Sequence, residues 1–351
     1  MKNILLKVCW SFVIITLLTN CTKKNPSQET TPKYVAKIDS LLKNDVDNIF
    51  NGVVLISQNG EVKYQNTKGF ADIEQKRALK LNDCFVIGSI SKQITAVMVL
   101  QAYEKGQLNL QNTIDQYLPQ IKQSWTRKVT IHHLLTHTHG ITALDKPLQF
   151  APGSQFQYSQ LGYDLLARVL NKVTGKSFIE LSKLLFDRCG MRHTFHPKYK
   201  KPTYLTKAYT EQNGGKLTLE TNSFQNYVAA GSFISNATDL LLWNQHLYGN
   251  KLLKPSTYQL METRYATRQH PIFGEIEYGY GLTFEKGESK VKIGALGFAP
   301  GYVSANFYFP ESRTSIVILQ NTARHLPNFK QTFGVHIKLL HIVKKALEAE
   351  K

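Results

Sequence analysis

After its first twenty residues the sequence has no apolar run long enough to cross a membrane, no internal repeat, and no low-complexity stretch beyond residue 33. These absences exclude a bundle of membrane-spanning helices and a repeat array. Acidic residues are scarce: 25 Asp and Glu stand against 43 Lys and Arg, a formal charge of +18. The excess is spread without a block of consecutive basic residues. Zinc-finger, basic-zipper and aromatic RNA-binding signatures are all missing, which makes nucleic acid the weaker reading; a diffuse positive field favours anionic envelope polymers or lipid head groups, and the plainest reading is a basic surface with no specific partner. Only four cysteines occur, two of them before residue 22, and sequence separation does not decide whether the other two can pair.

What is present begins with an export signal. Lys2 and Lys7 precede the apolar stretch Val8 to Leu18, which is short for a bilayer span, and Leu18-Thr19-Asn20-Cys21 follows directly. That tetrapeptide is similar to a bacterial lipobox with Cys21 as the lipidated N-terminus; the alternative is an ordinary cleaved signal with an incidental cysteine. Residues 1–20 are therefore read as signal, and residues 21–33, polar and rich in Pro, Ser and Thr, as a tether. The expected location is the bacterial cell envelope, on the periplasmic or extracellular face. Without Lys2 and Lys7 the formal charge of +18 falls to +16. Cys84 and Cys189 remain in the folded part, read as buried and unpaired.

The folded chain, 34–345, opens with an amphipathic helix from Tyr34 to Asn44. Two strand-like runs follow, flanking Gln58-Asn59-Gly60, a hairpin signal because Asn-Gly accepts positive φ. From Ser89 to Glu104 the pattern predicts a buried helix stopped by Gly106. The middle, from about 108 to 221, predicts helices over Val129–Leu135, Tyr163–Thr174 and Phe178–Phe186 and is otherwise loop-like. Strands are predicted at Tyr280–Glu285, Lys290–Ile293, Val303–Phe309 and Thr314–Leu319, then a helix from Phe329 to Leu347. Strands at both ends with helices between imply an α/β lobe from about 34–88 and 225–351, a helical lobe from about 89–224, and a cleft between them.

Ser89-Ile90-Ser91-Lys92 opens the buried helix, so serine and lysine face the same side three residues apart. A serine hydroxyl becomes a good nucleophile when a base takes its proton, and a lysine serves as that base where burial lowers its pKa. The tetrapeptide alone is weak evidence, since Ser40-Leu41-Leu42-Lys43 repeats it. Ser40 lies in a polar amphipathic segment, however, whereas Ser89 follows the strand-like Cys84-Phe85-Val86-Ile87-Gly88.

Phe85 to Ala96 (FVIGSISKQITA) resembles the nucleophile motif of the β-lactamase-related serine hydrolases: class C β-lactamases, penicillin-binding proteins, D-Ala-D-Ala carboxypeptidases, D-aminopeptidases and esterases. Ile131 to Gly140 (IHHLLTHTHG), Ala151-Pro152-Gly153, Phe156 to Leu166 (FQYSQLGYDLL), Ala229 to Asp239 (AAGSFISNATD) and Tyr278 to Leu282 (YGYGL) follow in that family's order, over about residues 35 to 345. The resemblance implies an α/β (α+β), β-lactamase/transpeptidase-like fold, an antiparallel sheet flanked by helices plus an inserted all-helical lobe. It implies Ser89 as nucleophile, Lys92 as base, Tyr158 as proton carrier, and an oxyanion hole from the backbone N–H groups of Ser89 and Phe298, with no cofactor.

Two departures bear on substrate. The family's Tyr-x-Asn reads Tyr158-Ser159-Gln160, one methylene longer, and its Lys/His-small-Gly reads Ala295-Leu296-Gly297, without the cation that helps hold a carboxylate. The expectation is an ester, amide or peptide substrate, small or peptidoglycan-like, with weak or absent turnover of penicillins and D-Ala-D-Ala carboxylates. Two alternatives belong to other classes. One is a hydrolase-derived envelope binding protein with little or no turnover. The other is a metal site at His132, His133, His137 and His139, although no nearby carboxylate or cysteine completes a ligand pattern there. The sequence carries no signature of oligomeric state.

Overall fold

A computed structural model describes residues 32–45, 49–199, 203–213, 215–222, 224–287, 293–326 and 328–349. The signal, Cys21 and nearly all of the tether lie outside the described residues, and from Lys33 on the chain is one unit. The strands of its main sheet are β1 (Gly52–Gln58), β2 (Glu61–Lys68), β3 (Ala266–His270), β4 (Gly274–Tyr278), β5 (Thr283–Glu285), β6 (Ile293–Ala299), β7 (Tyr302–Phe309) and β8 (Thr314–Gln320). Among the described residues they pair antiparallel in the order β2-β1-β8-β7-β6-β5-β4-β3. The helices that position the site are α1 (Tyr34–Asn44), α2 (Ser91–Glu104), α3 (Ile131–Leu135), α4 (Gln160–Thr174), α5 (Phe178–Arg188), α6 (Val228–Gly231), α7 (Ala237–Leu247) and α8 (Gly334–Ala349).

The two central strands explain why their sequences are apolar without alternation. Val53 and Leu55 of β1, with Val317 and Leu319 of β8, enter a core shared with α2 and α4. Val54 and Ile56, with Ile316 and Ile318, face the other way and pack under Tyr34 and Ile38 of α1 and Leu339 and Val343 of α8. Both faces are covered, so both sets of side chains leave water, each contributing about 1.5–3 kcal/mol before conformational entropy is counted. The β1–β2 turn has Asn59 at φ +53° and Gly60 at φ +86°, as the hairpin signal requires.

Several boundaries differ from expectation for identifiable reasons. The segment expected as one helix from Ser89 starts as a 3₁₀ turn, Gly88–Ile90, and α2 begins at Ser91. The helix expected from Val129 starts at Ile131, because the Thr130 hydroxyl accepts from His133 N–H while His133 Nδ1 accepts from Thr130 N–H, a reciprocal N-terminal cap. The strand expected from Tyr280 starts at Thr283, since Gly281 sits at φ +71°. Of the strand expected at Lys290–Ile293, residues 290–292 lie outside the described residues, and the described strand runs Ile293–Ala299 and carries Ala295, Leu296 and Gly297 inside it. The final helix breaks into Phe329–Thr332 and α8. Short strands Tyr209–Glu211 and Leu217–Leu219 lie in the segment read as helical and loop-like, and the β3–β4 hairpin was not anticipated.

Candidate active site

Ser89 is delivered by backbone. Phe85–Val86 pairs with Ile234–Ser235, and Ile87 N–H donates to Phe233 O at 3.0 Å. The Ser91 hydroxyl accepts from Phe233 N–H at 3.2 Å, and the Ser304 hydroxyl of β7 donates to Ile87 O at 2.9 Å. Gly88, at φ +55°, turns the chain from this short strand into the 3₁₀ turn, where residues three apart eclipse. Ser89 is thereby half-buried, with Oγ 3.4 Å from Nζ of Lys92, which is itself 1% exposed. The other Ser-x-x-Lys tells the opposite story: Ser40 and Lys43 are both exposed on α1.

The surroundings of Lys92 define its state. Nζ donates to Gln160 Oε1 at 2.7 Å and to Ala230 O at 2.7 Å, and neither atom can donate in return. Nζ also donates to Ser89 Oγ at 3.4 Å, and that hydroxyl can donate in turn once the amine has lost its proton. Among the described residues no carboxylate pairs with Lys92. Burial holds its pKa below the usual lysine value; the Tyr158 phenol opposes this by charge and hydrogen bonding, and the Arg268 charge adds to the lowering.

Tyr158 stands at the mouth, 37% exposed, its ring centroid 4.5 Å from Lys92 Nζ. Its backbone is fixed from both sides. Gln157 N–H donates to His137 O at 2.8 Å, Ser159 N–H donates to His137 Nδ1 at 3.2 Å, and the Ser159 hydroxyl caps α4 at Gly162 N–H. His137 lies against the Tyr158 ring at 4.5 Å and, fully buried among Tyr163, Tyr278 and Phe156, is held well below the usual imidazole pKa by desolvation, then by the charge of Lys92. It is thus a neutral support. The other three histidines are engaged separately. His132 Nδ1 is 2.8 Å from the Tyr280 hydroxyl, His133 caps α3, and His139 Nδ1 accepts from Ile141 N–H at 2.9 Å. Burial lowers His132 and His139 to about 4.

Strand β6 passes beside Ser89. A Cβ built on Gly88 would lie 2.3 Å from Phe298 N and 2.8 Å from Gly297 Cα, so the two backbones are in direct contact. The β6–β7 hairpin closes through Pro300-Gly301, making Ala299 and Tyr302 its last pair. Ladder bonds alternate from that pair, which turns the Phe298 N–H away from β7 toward the Ser89 side. Ala295 is buried and uncharged. Leu296, partly buried, packs against the core under α1 and α8. Cys84 and Cys189 are both buried thiols, and burial pushes the Cys189 thiol up to about 11.

The structure therefore gathers Ser89, Lys92, Tyr158, Gln160, Gly297 and Phe298. It adds members that the sequence reading did not assign: the Ala230 carbonyl, Gly88, His137 as a support, and Arg268 of β3, whose Cζ lies 5.0 Å from the Tyr158 ring centroid. Ala230 falls in the quoted segment 229–239, but nothing there singles out its carbonyl. Arg268 sits in a polar strand with no motif at all.

Comparison with known proteins identifies the family and the fold. The beta-lactamase family model matches residues 38–336. A penicillin-binding protein of Bacillus subtilis (strain 168) is 26% identical over 313 residues, covering 78% of this chain and 68% of the relative. The teichoic acid D-alanine hydrolase of Staphylococcus aureus is 27% identical over 270 residues, covering 72% of this chain and 66% of the relative. The D-amino acid amidase of Ochrobactrum anthropi SV3, solved with D-phenylalanine, superposes with a TM-score of 0.79 at 19% identity, covering 91% of this chain and 99% of that one; it shares the fold.

Proposed function

Because the chain belongs to the beta-lactamase family and is a serine hydrolase, we propose that it cleaves an ester or amide through an acyl-enzyme on Ser89. The observation that carries this is Lys92 itself, buried, paired with no carboxylate among the described residues, and with Nζ 3.4 Å from Ser89 Oγ. Lys92 takes the Ser89 proton as Oγ attacks the carbonyl carbon. The N–H groups of Ser89 and Phe298 hold the oxygen that becomes negative. As the tetrahedral adduct collapses, Tyr158, in contact with Lys92, passes a proton to the leaving oxygen or nitrogen. Water, deprotonated along the same path, then attacks the ester on Ser89 and releases the acid.

Gln160 supports the base and does not stand free, because its Oε1 is already an acceptor for Lys92. With Ala295 in place of a cation, β6 offers a substrate only backbone. A cephalosporin, whose carboxylate needs a cation beside β6, is therefore expected to turn over roughly 10- to 100-fold more slowly than a D-alanyl ester, the loss of one charge-assisted contact. Nitrocefin absorbance measures this, and turnover equal to that of the ester would refute it. D-Alanyl esters are the first substrates to test, since one relative is a teichoic acid D-alanine hydrolase. Export and anchoring at Cys21 belong to the same reading, supported by Lys2, Lys7 and the apolar run before Cys21.

The direct test is a fluorophosphonate. One equivalent is expected to add to the mature protein by intact mass, and peptide mapping is expected to find it on Ser89. Modification elsewhere, or none, rejects the acyl-enzyme.

A further inference from the structure

The wall of the site opposite β6 carries a cation that the mechanism leaves unused. Arg268 lies on β3, at the far edge of the sheet, facing inward with Ala266 and His270. Its guanidinium packs over the rings of Phe156, at 5.4 Å, and Tyr158, at 5.0 Å. Nε is buried without a partner, and among the described residues no hydrogen bond or ion pair is made by the guanidinium. The carboxylates of the neighbouring strand are taken: Glu277 pairs with Arg264 at 2.6 Å and Glu275 with Lys286 at 2.8 Å.

An arginine stays charged when buried, and a partly dehydrated guanidinium with five unused donors is costly to hold. The two aromatic faces offset part of that cost. Among the described residues around it, burial lowers His270 to about 4 and lowers His137 and Lys92 as well, so Arg268 is the cation whose charge is permanent. One permanent cation without a counter-ion, beside the residue that protonates the leaving group, is a site waiting for an anion. Resting on the acyl-enzyme reading, we propose that Arg268 is a specificity residue that clasps an anionic group, carboxylate or phosphate, on the leaving half of the substrate.

Placement separates this from the carboxylate contact that β6 lacks. β3 is three strands from β6, about 14 Å across the sheet at the backbone. The anion suited to Arg268 is therefore reached from the β3 edge, past Tyr158, by a leaving alcohol or amine that carries its charge away from the scissile bond. A chain whose formal charge is +18, or +16 without Lys2 and Lys7, suits substrates of that kind, whose approach its field assists.

The test uses D-alanyl esters of glycerol, glycerol phosphate and glyceric acid, which share an acyl group and differ only in the charge on the leaving alcohol. Wild-type kcat/KM is expected to be roughly 10- to 100-fold higher for at least one charged ester than for the glycerol ester, as a charge-assisted contact supplies. In Arg268→Gln that ratio is expected to fall close to one, and Arg268→Lys to restore part of it. The two charged esters distinguish phosphate from carboxylate as the preferred anion. Fluorophosphonate labelling of Ser89, run on each variant, reports a folded site independently of selectivity. Labelling with no preference for, or no cleavage of, the charged esters overturns the clasp and leaves the acyl-enzyme standing, as does a ratio that survives in Arg268→Gln. Failure of the wild type to label at Ser89 overturns both.

Discussion

Lys92→Met is expected to slow acylation of Ser89 by roughly a thousandfold, within the range of about 10²–10⁴ that a positioned base contributes. Methionine keeps most of the buried volume and removes the basic atom that lies 3.4 Å from the Ser89 hydroxyl. It also leaves Gln160 Oε1 and Ala230 O without the amine they share, so some loss of stability accompanies the loss of rate. The pH dependence separates the two effects. Burial lowers the pKa of Lys92, so the amine is neutral above that lowered value and charged below it. Wild-type kcat/KM should therefore rise with pH, about tenfold per unit on the acid limb, and level off once the lysine has lost its proton. That limb should vanish in Lys92→Met, while Ser89→Ala abolishes the covalent adduct altogether. Fluorophosphonate labelling rates across pH measure both, and an unchanged acid limb in Lys92→Met would remove Lys92 from the role of base.

Gly88→Ala is expected to cost roughly 10²–10³ in kcat/KM, the loss associated with one oxyanion donor. The added methyl group would sit 2.3 Å from Phe298 N, against backbone with no flexible end to swing aside. Either β6 withdraws from the Ser89 turn or the turn itself shifts, and both separate the two N–H groups that must converge on one oxygen. The φ of +55° adds strain of roughly 1–2 kcal/mol for any L side chain, so the melting temperature falls as well. Steady-state rates and thermal melts on the same sample decide the matter. A variant that is destabilised yet retains the wild-type rate constant would show that the Phe298 amide has no part in acylation.

Much of this site was legible because its chemistry is written locally. Ser89 and Lys92 are three residues apart in a stretch whose apolar context differs from that of Ser40 and Lys43, and exposure follows the same division. Asn59-Gly60 announced its turn because positive φ is a property of those residues themselves. Arg268 and Ala230 were not legible, since each reaches the site through topology. Arg268 arrives on an edge strand whose alternation is polar on one side and only half-buried on the other. Ala230 contributes a carbonyl, which every residue type has. Gln160 shows a subtler limit: its amide could be expected to meet substrate, but its extra length lets it reach the buried amine. The interruption of Tyr280–Glu285 came from a glycine packed on the carbonyl of Lys92, where a Cβ would lie 2.9 Å from that oxygen, a contact no local pattern reveals.

The order in which β1 meets β8 has a temporal side. A ribosome that has synthesised residues 1–290 has already released the serine, the lysine and the tyrosine, yet β6, β7 and β8 do not exist. At that stage β1 has only β2 to pair with, and the amide of residue 298 has not been made. On the proposed mechanism the Ser89 hydroxyl therefore waits for β6 before its second oxyanion donor exists, so a chain interrupted before residue 298 carries the serine, the lysine and the tyrosine without it.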